Sequence, residues 1–375
     1  QIDRFFQEIR SLYTDIPTGV GFCMAISKKA LHEVGFLDQK TFGKGYGEEN
    51  DWCQRAIEKG FRNVMVENLY VFHNHGSSFH PEEKTRLIRM NQEKLLAKHP
   101  DYANQVGSYL ARDPMAPIRA YVFCRLTASM SARRYLIFHH TLGGGADAYI
   151  QNYARKRRAE NAVTVLVRYI RERGQYRLEY QYQDIRVFFD MKTLDEVFDF
   201  SYQMDMNQVI INQMVTYPNL QMHLTKIREF AEDKGCRIMM MVHDYYVLCP
   251  SIYLLNEKQK FCHLPSRAEC QTCLQQNPNC DNFETKSIEE WRRIWQPFLQ
   301  ACQEVRVFSQ DSMHLVQKAY GGLDQVRVLD VQHTSLPVVA KEYKTTETLN
   351  IGLLGTLTDL KGAQLVRQML TLAEN

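Results

Sequence analysis

From about residue 131 onward the chain alternates short apolar runs with helical patterns, and this rhythm constrains the fold more than any other feature. Arg134-Tyr135-Leu136-Ile137-Phe138-His139 is apolar at nearly every position, the pattern of a strand buried on both faces. It turns through Gly143-Gly144-Gly145 into a helix expected over 146–158. Further strands are expected over 162–169, 176–182, 185–189, 208–211, 236–243, 304–308 and 325–329, with helical patterns such as 220–234 between several of them. Alternation of this kind argues an α/β fold whose parallel sheet is covered on both faces. A last strand over 349–354 ends at Gly355, and Asp359-Leu360-Lys361-Gly362 opens a new helix. That pair reads as the start of another α/β unit, cut off at Asn375.

Residues 1 to about 85 have a different texture, rich in glycine and aromatic residues with short elements. Ser27 is placed to cap a helix over 28–34 that stops at Gly35. A second helix is expected over 49–59, closed by Gly60, then strands over 63–67 and 69–72. The join, 86–130, begins with a helical pattern (Leu87, Ile88, Met90, Leu95, Leu96) and later carries Asp113-Pro114-Met115-Ala116-Pro117. Two prolines in four residues break a helix, so this stretch reads as a linker that starts helically.

Composition narrows the function classes. At about 150 residues per domain the chain holds two or three domains. With 45% apolar and 24% charged residues it can bury sizeable cores. A net charge of +3 is too mild to argue a nucleic-acid partner. No run approaches the roughly 18 to 20 apolar residues of a membrane span, and no leader pattern opens the chain. Gln1 stands where an initiator Met would, so the chain reads as a piece of something longer. Five of the ten cysteines (Cys249, Cys262, Cys270, Cys273, Cys280) fall within 32 positions, and the rest sit in apolar surroundings as reduced core residues. A reducing cytoplasm is the expected location, with peripheral contact on the inner membrane face as an option.

Several constellations can carry chemistry, each with a plainer alternative. Glu48, Glu49 and Asp51 gather at a helix start, where the helix-end potential favours carboxylates, and an ionised Glu there can take a proton from a hydroxyl. On physical grounds alone, acidic capping of an ordinary helix is the favoured explanation. His73 follows a strand among small polar residues and can bind a divalent metal, or be one of several loop histidines. Gly143, Gly144 and Gly145 let a phosphate or sugar approach a helix N-terminus, or simply make a tight turn. His243 and Asp244 stand at the C-terminal end of a central strand, where open α/β sheets bind ligands. Their alternative is a capping Asp beside a satisfied His. Cys270-Gln271-Thr272-Cys273 is a CxxC pair that Cys249 and Cys262 can complete as a four-thiolate zinc site, leaving Cys280 over. Reduced thiols or disulfides are the alternatives. Ser287-Ile288-Glu289-Glu290 forms a capping box ahead of Trp291, Ile294, Trp295 and Phe298 on one helix face. That face packs into a core, or touches a membrane surface with Arg292 and Arg293.

Two groups of these segments resemble known enzyme families. Pro17-Thr18-Gly19-Val20-Gly21-Phe22-Cys23-Met24, then Leu31-His32-Glu33-Val34-Gly35-Phe36-Leu37-Asp38 with Phe42, and Glu48-Glu49-Asn50-Asp51 with Arg55 resemble the C-terminal half of a family 2 glycosyltransferase of the GT-A fold. The resemblance covers about residues 15–80. It implies that Glu49 is the base that deprotonates the acceptor hydroxyl, with inversion at the sugar carbon. It also implies that His73, 24 residues later, is a ligand of Mn2+ or Mg2+. The family often has Asp where Glu49 stands. Its nucleotide-binding half, with a metal-binding DxD, is expected N-terminal to these segments, where only some 15 residues precede them, so the module is expected to be inactive by itself.

Thr141 to Asp147, His243-Asp244, Cys249-Pro250 and Ile351-Gly352-Leu353-Leu354-Gly355 with Lys361-Gly362 resemble a family 4 glycosyltransferase of the GT-B fold over about 131–375. This implies two facing Rossmann-like domains, the glycine turn near the donor phosphates, His243 facing the reacting sugar, and retention at the anomeric carbon. The expected organisation is therefore 1–85 as the GT-A part, 86–130 as a helical linker, 131–348 as the acceptor-side GT-B domain and 349–375 as the truncated start of the donor domain. The partners implied are a nucleotide-sugar donor and a glycan or lipid-linked glycan acceptor, with no nucleic acid; the product would be a surface polysaccharide. The rival from another class is a non-catalytic carbohydrate-binding or scaffold protein with degenerate transferase folds. An NAD-dependent enzyme is disfavoured, because the glycines do not follow GxGxxG spacing.

Overall fold

A computed structural model describes residues 2–10, 13–43, 45–73, 81–280, 287–329, 352, 357 and 362–373. The chain divides into two compact units, Gln1–Val331 and Gln332–Asn375.

The first unit opens with small elements: α1 (Ile2–Gln7), β1 (Tyr13–Asp15), α2 (Lys28–Val34), α3 (Gln39–Phe42), α4 (Glu48–Glu58) and β2 (Val64–Val66). Ser27 caps α2 as its sequence suggests, its Oγ accepting from Ala30 N–H at 3.1 Å. β1 and β2 pair antiparallel. The strand expected over 69–72 is not formed: Leu69 to Phe72 run in irregular, exposed backbone.

The stretch read as a linker is helical to its end: α5 (Pro81–Lys98), α6 (Tyr102–Arg112) and α7 (Ala116–Met130). The prolines do break the helix, but only at a corner. Asp113 takes a left-handed conformation that ends α6, and Pro117 falls in the first turn of α7, where its missing N–H costs nothing. Asn91 of α5 donates to the carbonyls of Phe42 and Gly45, both at 2.8 Å, while Cys124 and Ala128 of α7 join the main core.

The main sheet follows, built from β3 (Arg134–Phe138), β4 (Val163–Ile170), β5 (Gln175–Tyr182), β6 (Ile185–Met191), β7 (Gln208–Ile211), β8 (Arg237–Val242), β9 (Glu304–Val307) and β10 (Val326–Val328). Helices α8 (Gly144–Ala159), α9 (Leu194–Gln203), α10 (Leu220–Lys234), α11 (Arg267–Gln276), α12 (Ile288–Ala301) and α13 (Gln310–Tyr320) connect them. The strand order is β10-β9-β8-β7-β3-β4-β5-β6. It is parallel from β10 to β4, but β4–β5 and β5–β6 pair antiparallel. The expected parallel sheet is thus a mixed one. The reason is connection length: four residues join β4 to β5 and two join β5 to β6, too few for a crossover helix.

Side-chain alternation on the parallel strands builds two cores. Leu136, Phe138, Val209, Ile211, Met240 and Val242 face α7, α10 and α12, whereas Tyr135, Ile137, Leu166, Ile210 and Met241 face Ile150 and Ala154 of α8. On α12 the residues Trp291, Trp295 and Phe298 are buried in the larger core, so its apolar face packs inward. Among the described residues no helix is long and apolar enough to cross a membrane.

The second unit contributes α14 (Ala363–Ala373). The strand expected over 349–354 and the Ile351–Gly355 segment lie, but for Gly352, outside the described residues.

Candidate functional site

The chain order places a reversal beside β3. β4 lies on one side of it and β7, reached after the β5–β6 hairpins and α9, on the other. In open α/β sheets such a switch point leaves a crevice beyond the carboxyl ends of the strands. The residues that follow those ends are polar here: His139 and His140 after β3, Asn212 and Gln213 after β7, His243 and Asp244 after β8.

These side chains form one hydrogen-bonded run. His139 Nε2–H donates to Asp147 Oδ1 at 2.9 Å. Asn212 Nδ2 donates to His139 Nδ1 at 2.8 Å and to the Ala146 carbonyl at 3.2 Å, which fixes which way its amide faces. Asn212 Oδ1 then accepts from His243 Nε2–H at 2.9 Å. The tautomers follow, and His243 keeps Nδ1 as an acceptor. Arg168 of β4 stands 3.7 Å from Asp147 and 3.0 Å from Glu179, balancing the carboxylates. The His243 ring stacks on Phe308 at 4.7 Å and meets Tyr149 edge-on at 5.0 Å.

Burial sets the charge state of the run. It pushes His243 down to about 4, helped by nearby His140, and His139 down to about 3, so both imidazoles are neutral at pH 7. Asp244 is pushed the other way, to about 6, because burial outweighs the bonds it accepts from Tyr246 N–H and Gln213 Nε2. A neutral acceptor imidazole beside a carboxylate of raised pKa can bind hydroxyls and move a proton near neutrality.

The glycine turn lies beside this run. Gly143 (φ +72°) and Gly144 (φ +81°) take conformations that side chains rarely adopt, and α8 begins there without a side-chain cap. A Cβ on any of Gly143, Gly144 or Gly145 would meet nothing within 4 Å, so the space in front is open. Uncapped helix amides facing open space are suited to an anion.

The α4 carboxylates are set differently from one another. Asp51 is fully buried and bonded to Arg55 Nε (2.8 Å), Lys98 Nζ (2.7 Å) and His99 Nε2 (2.9 Å), a structural ion cluster. Glu49 reaches back to Gly47 N–H at 3.3 Å. Glu48 has a buried Oε2 without a partner among the described residues, and burial followed by the neighbouring Glu49 charge raises its carboxyl above the usual range. Asn50 Nδ2 donates to Thr18 Oγ1 at 2.6 Å and Gly19 N–H to Cys53 Sγ at 3.2 Å, so the 17–24 segment lies against the start of α4. His73 stacks on Phe22 of that segment, ring centroids 4.7 Å apart.

All ten cysteines are unpaired by disulfide. Cys249, Cys262, Cys270 and Cys273 line one cavity of ≈ 670 Å³. Cys280, left over in the sequence reading, joins them: a hydrogen bond with Cys280 draws the Cys249 thiol down. Among the described residues no three His, Cys, Asp or Glu side chains are already gathered to hold a metal ion.

Sequence reasoning singled out His243, Asp244 and the glycines but not His139, Asn212, Gln213, Asp147 or Arg168 as site residues. For three of them a signal was present: Asn212 and Gln213 directly follow a predicted strand and Asp147 opens the helix after one, whereas His139 and Arg168 fall inside predicted strands and carried none. No family model, no curated protein and no solved structure matches this chain.

Proposed function

We propose that this chain belongs to a glycosyl-transferring enzyme of the cytoplasm, with the 131–329 sheet as an acceptor-side GT-B-like domain and residues 15–80 as part of a GT-A-like module. The observation that carries the reading is the run Asp147–His139–Asn212–His243 beside an open glycine turn at the sheet's switch point. The uncapped amides of α8 meet the phosphates of a nucleotide sugar. His243 Nδ1 accepts from a hydroxyl of the sugar or acceptor, held in that tautomer by Asn212. Asp244 supplies a carboxylate that exchanges a proton near pH 6. In the GT-A-like part, Glu49 and Glu48 are the candidate bases, and Asp51 positions α4.

The resemblance implies Mn2+ or Mg2+ at His73. His73 stacks on Phe22, and among the described residues no three ligating side chains are gathered around it.

Titration of the 375-residue chain with a panel of nucleotide sugars and free nucleoside diphosphates, read by saturation-transfer NMR, tests the reading. Saturable binding is expected for at least one, weakened about tenfold, or ~1.4 kcal/mol, in His243→Ala. Absence of binding across the panel with a folded chain overturns it. Binding of glycans alone moves the chain to the carbohydrate-binding class.

A further inference from the structure

Between β8 and α11 the chain runs 24 residues, 243–266, with no helix or strand beyond one isolated bridge between Leu255 and Phe261. Connections this long without regular structure are uncommon in compact domains unless something holds them. This one also carries five non-glycine residues in the left-handed region: Ile252 (φ +56°), Leu254 (+52°), Gln259 (+57°), His263 (+52°) and Leu264 (+56°). Each costs of order 1 kcal/mol or more and persists only where its surroundings over-determine it. Apolar packing by Leu254 and Leu264 supplies part of that restraint.

Hydrogen bonds such as Cys262 N–H to the Leu254 carbonyl (2.8 Å) and Asn277 Nδ2 to the Leu255 carbonyl (2.6 Å) supply another part, and thiols offer a further tie. Cys249 and Cys262 lie in the loop and Cys270 on α11, and all three face the same cavity. Cys280 sits in the turn just beyond α11, where it packs with Leu274 and Ile288 in a small cluster that also touches Cys249 and Cys270. Arg292 of α12 lines the cavity too. Its Nε donates to the Leu248 carbonyl at 3.4 Å, while its buried Nη2 has no partner among the described residues. An orphaned guanidinium N–H beside a group of thiols is costly unless it faces negative charge. Cys273 also lines the cavity but is outside that cluster, and its Sγ accepts from Asn277 Nδ2 at 3.4 Å.

We propose that Cys249, Cys262, Cys270 and Cys280 hold one Zn2+ as four thiolates, that Arg292 faces it as counter-cation, and that Cys273 stays outside. The thiols close on the ion by rotating about Cα–Cβ, since no three ligands are gathered beforehand. Four thiol protons leave to solvent as the ion binds, giving a site of net charge −2 that the guanidinium partly offsets. The ion ties the irregular loop to α11 and to the turn beyond it, a structural role separate from sugar transfer. The sequence spacing pairs Cys270 with Cys273 as a CxxC knuckle; in the fold Cys280 packs with Cys249 and Cys270 while Cys273 lies outside that cluster, and Cys280 takes its place.

The test is metal content of the full chain purified under reducing conditions, before and after addition of Zn2+ alone. One zinc per chain is expected, with a metal-edge X-ray absorption shell of four sulfurs at about 2.3 Å. Cys273→Ser keeps the ion, and Cys270→Ser or Cys280→Ser loses it. A chain that binds no zinc overturns the proposal, as does a shell containing nitrogen or oxygen, or a Cys249–Cys280 disulfide found by mass spectrometry. Loss of zinc in Cys273→Ser with retention in Cys280→Ser overturns the ligand assignment. The absorption shell is read on the unaltered chain, so it decides the matter even if every variant fails to fold.

Discussion

Two regions of this chain use similar apolar residues to opposite effect. In the 131–329 sheet, Leu136, Ile137 and Phe138 of β3 are fully buried, because a strand lies on each side and helices cover both faces. In the β1–β2 pair, Val64, Met65 and Val66 remain 40%, 45% and 47% exposed. A two-stranded ribbon is marginal in water by itself. What orders the N-terminal region is a small core of Ala30, Val34, Trp52, Cys53 and Ala56 between α2 and α4, reinforced by a set of polar ties to the backbone. Trp52 Nε1 donates to the Gly35 carbonyl (2.8 Å), Gln54 Nε2 to Pro17 (2.9 Å), Arg55 to Val34 (2.8 Å) and Phe36 (2.9 Å), and Asn63 to Cys53 (3.0 Å). A strand's apolar content therefore says little about its burial until its neighbours are counted.

The sharpest way to break this comparison is truncation in each region. Phe138→Ala is expected to cost about 3–5 kcal/mol, and Met65→Ala to change stability by less than about 0.5 kcal/mol. Chemical denaturation followed by peptide-resolved hydrogen exchange reads both. A Met65→Ala cost near that of Phe138→Ala would mean that the ribbon is covered in solution. Next in size is the polar counterpart. Asp51→Asn keeps the shape but removes the charge that Arg55, Lys98 and His99 surround, at an expected cost of about 2 kcal/mol. Exchange should quicken in α2, α4 and α5 and leave β3–β9 unchanged. Equal loosening of the sheet would erase the distinction between the regions.

The same comparison explains what could be read from the sequence. α2 carries local signals at both ends, Ser27 with Gly35, and its helix was legible there, while α10 was legible in its helical pattern. The central strands β3, β7 and β8 were legible because burial on both faces leaves them largely apolar, while β5 and β6 at the edge alternate with polar residues. Sheet polarity at the β5–β6 edge was also legible in the two-residue connection, but alternation of strands with helices elsewhere overrode it. The site was only half legible. His243 and Asp244 stood out as a pair, whereas Asn212 is a lone amide whose role exists only because β7 and β8 lie side by side and α8 brings Asp147 back to His139. Asp51 looked like its neighbours Glu48 and Glu49 because helix phase alone does not reveal that His99, 48 residues on, returns to it.

The smallest expected effect sharpens the comparison within the sheet region, where burial acts on charge. His243 and His139 are held well below 6.5 by burial, so below that pH the unfolded chain takes up two protons that the folded one refuses. Stability they contribute is complete above pH 6.5 and falls as pH drops toward 4. His140 and His223 are shifted the same way. Asp244 opposes them: its raised pKa lets the folded chain bind a proton below about pH 6 that the unfolded carboxylate takes only near 3.8, so it gains stability over the same window. Histidines outnumber it, and stability should fall between pH 6 and 4.5. In His243→Asn the slope should shrink by up to about 1.4 kcal/mol per pH unit, one proton's worth. Denaturant midpoints at half-unit steps of pH measure it. An unchanged slope would show that His243 takes up a proton near pH 6.5 like a solvent-exposed imidazole and is not held neutral by burial.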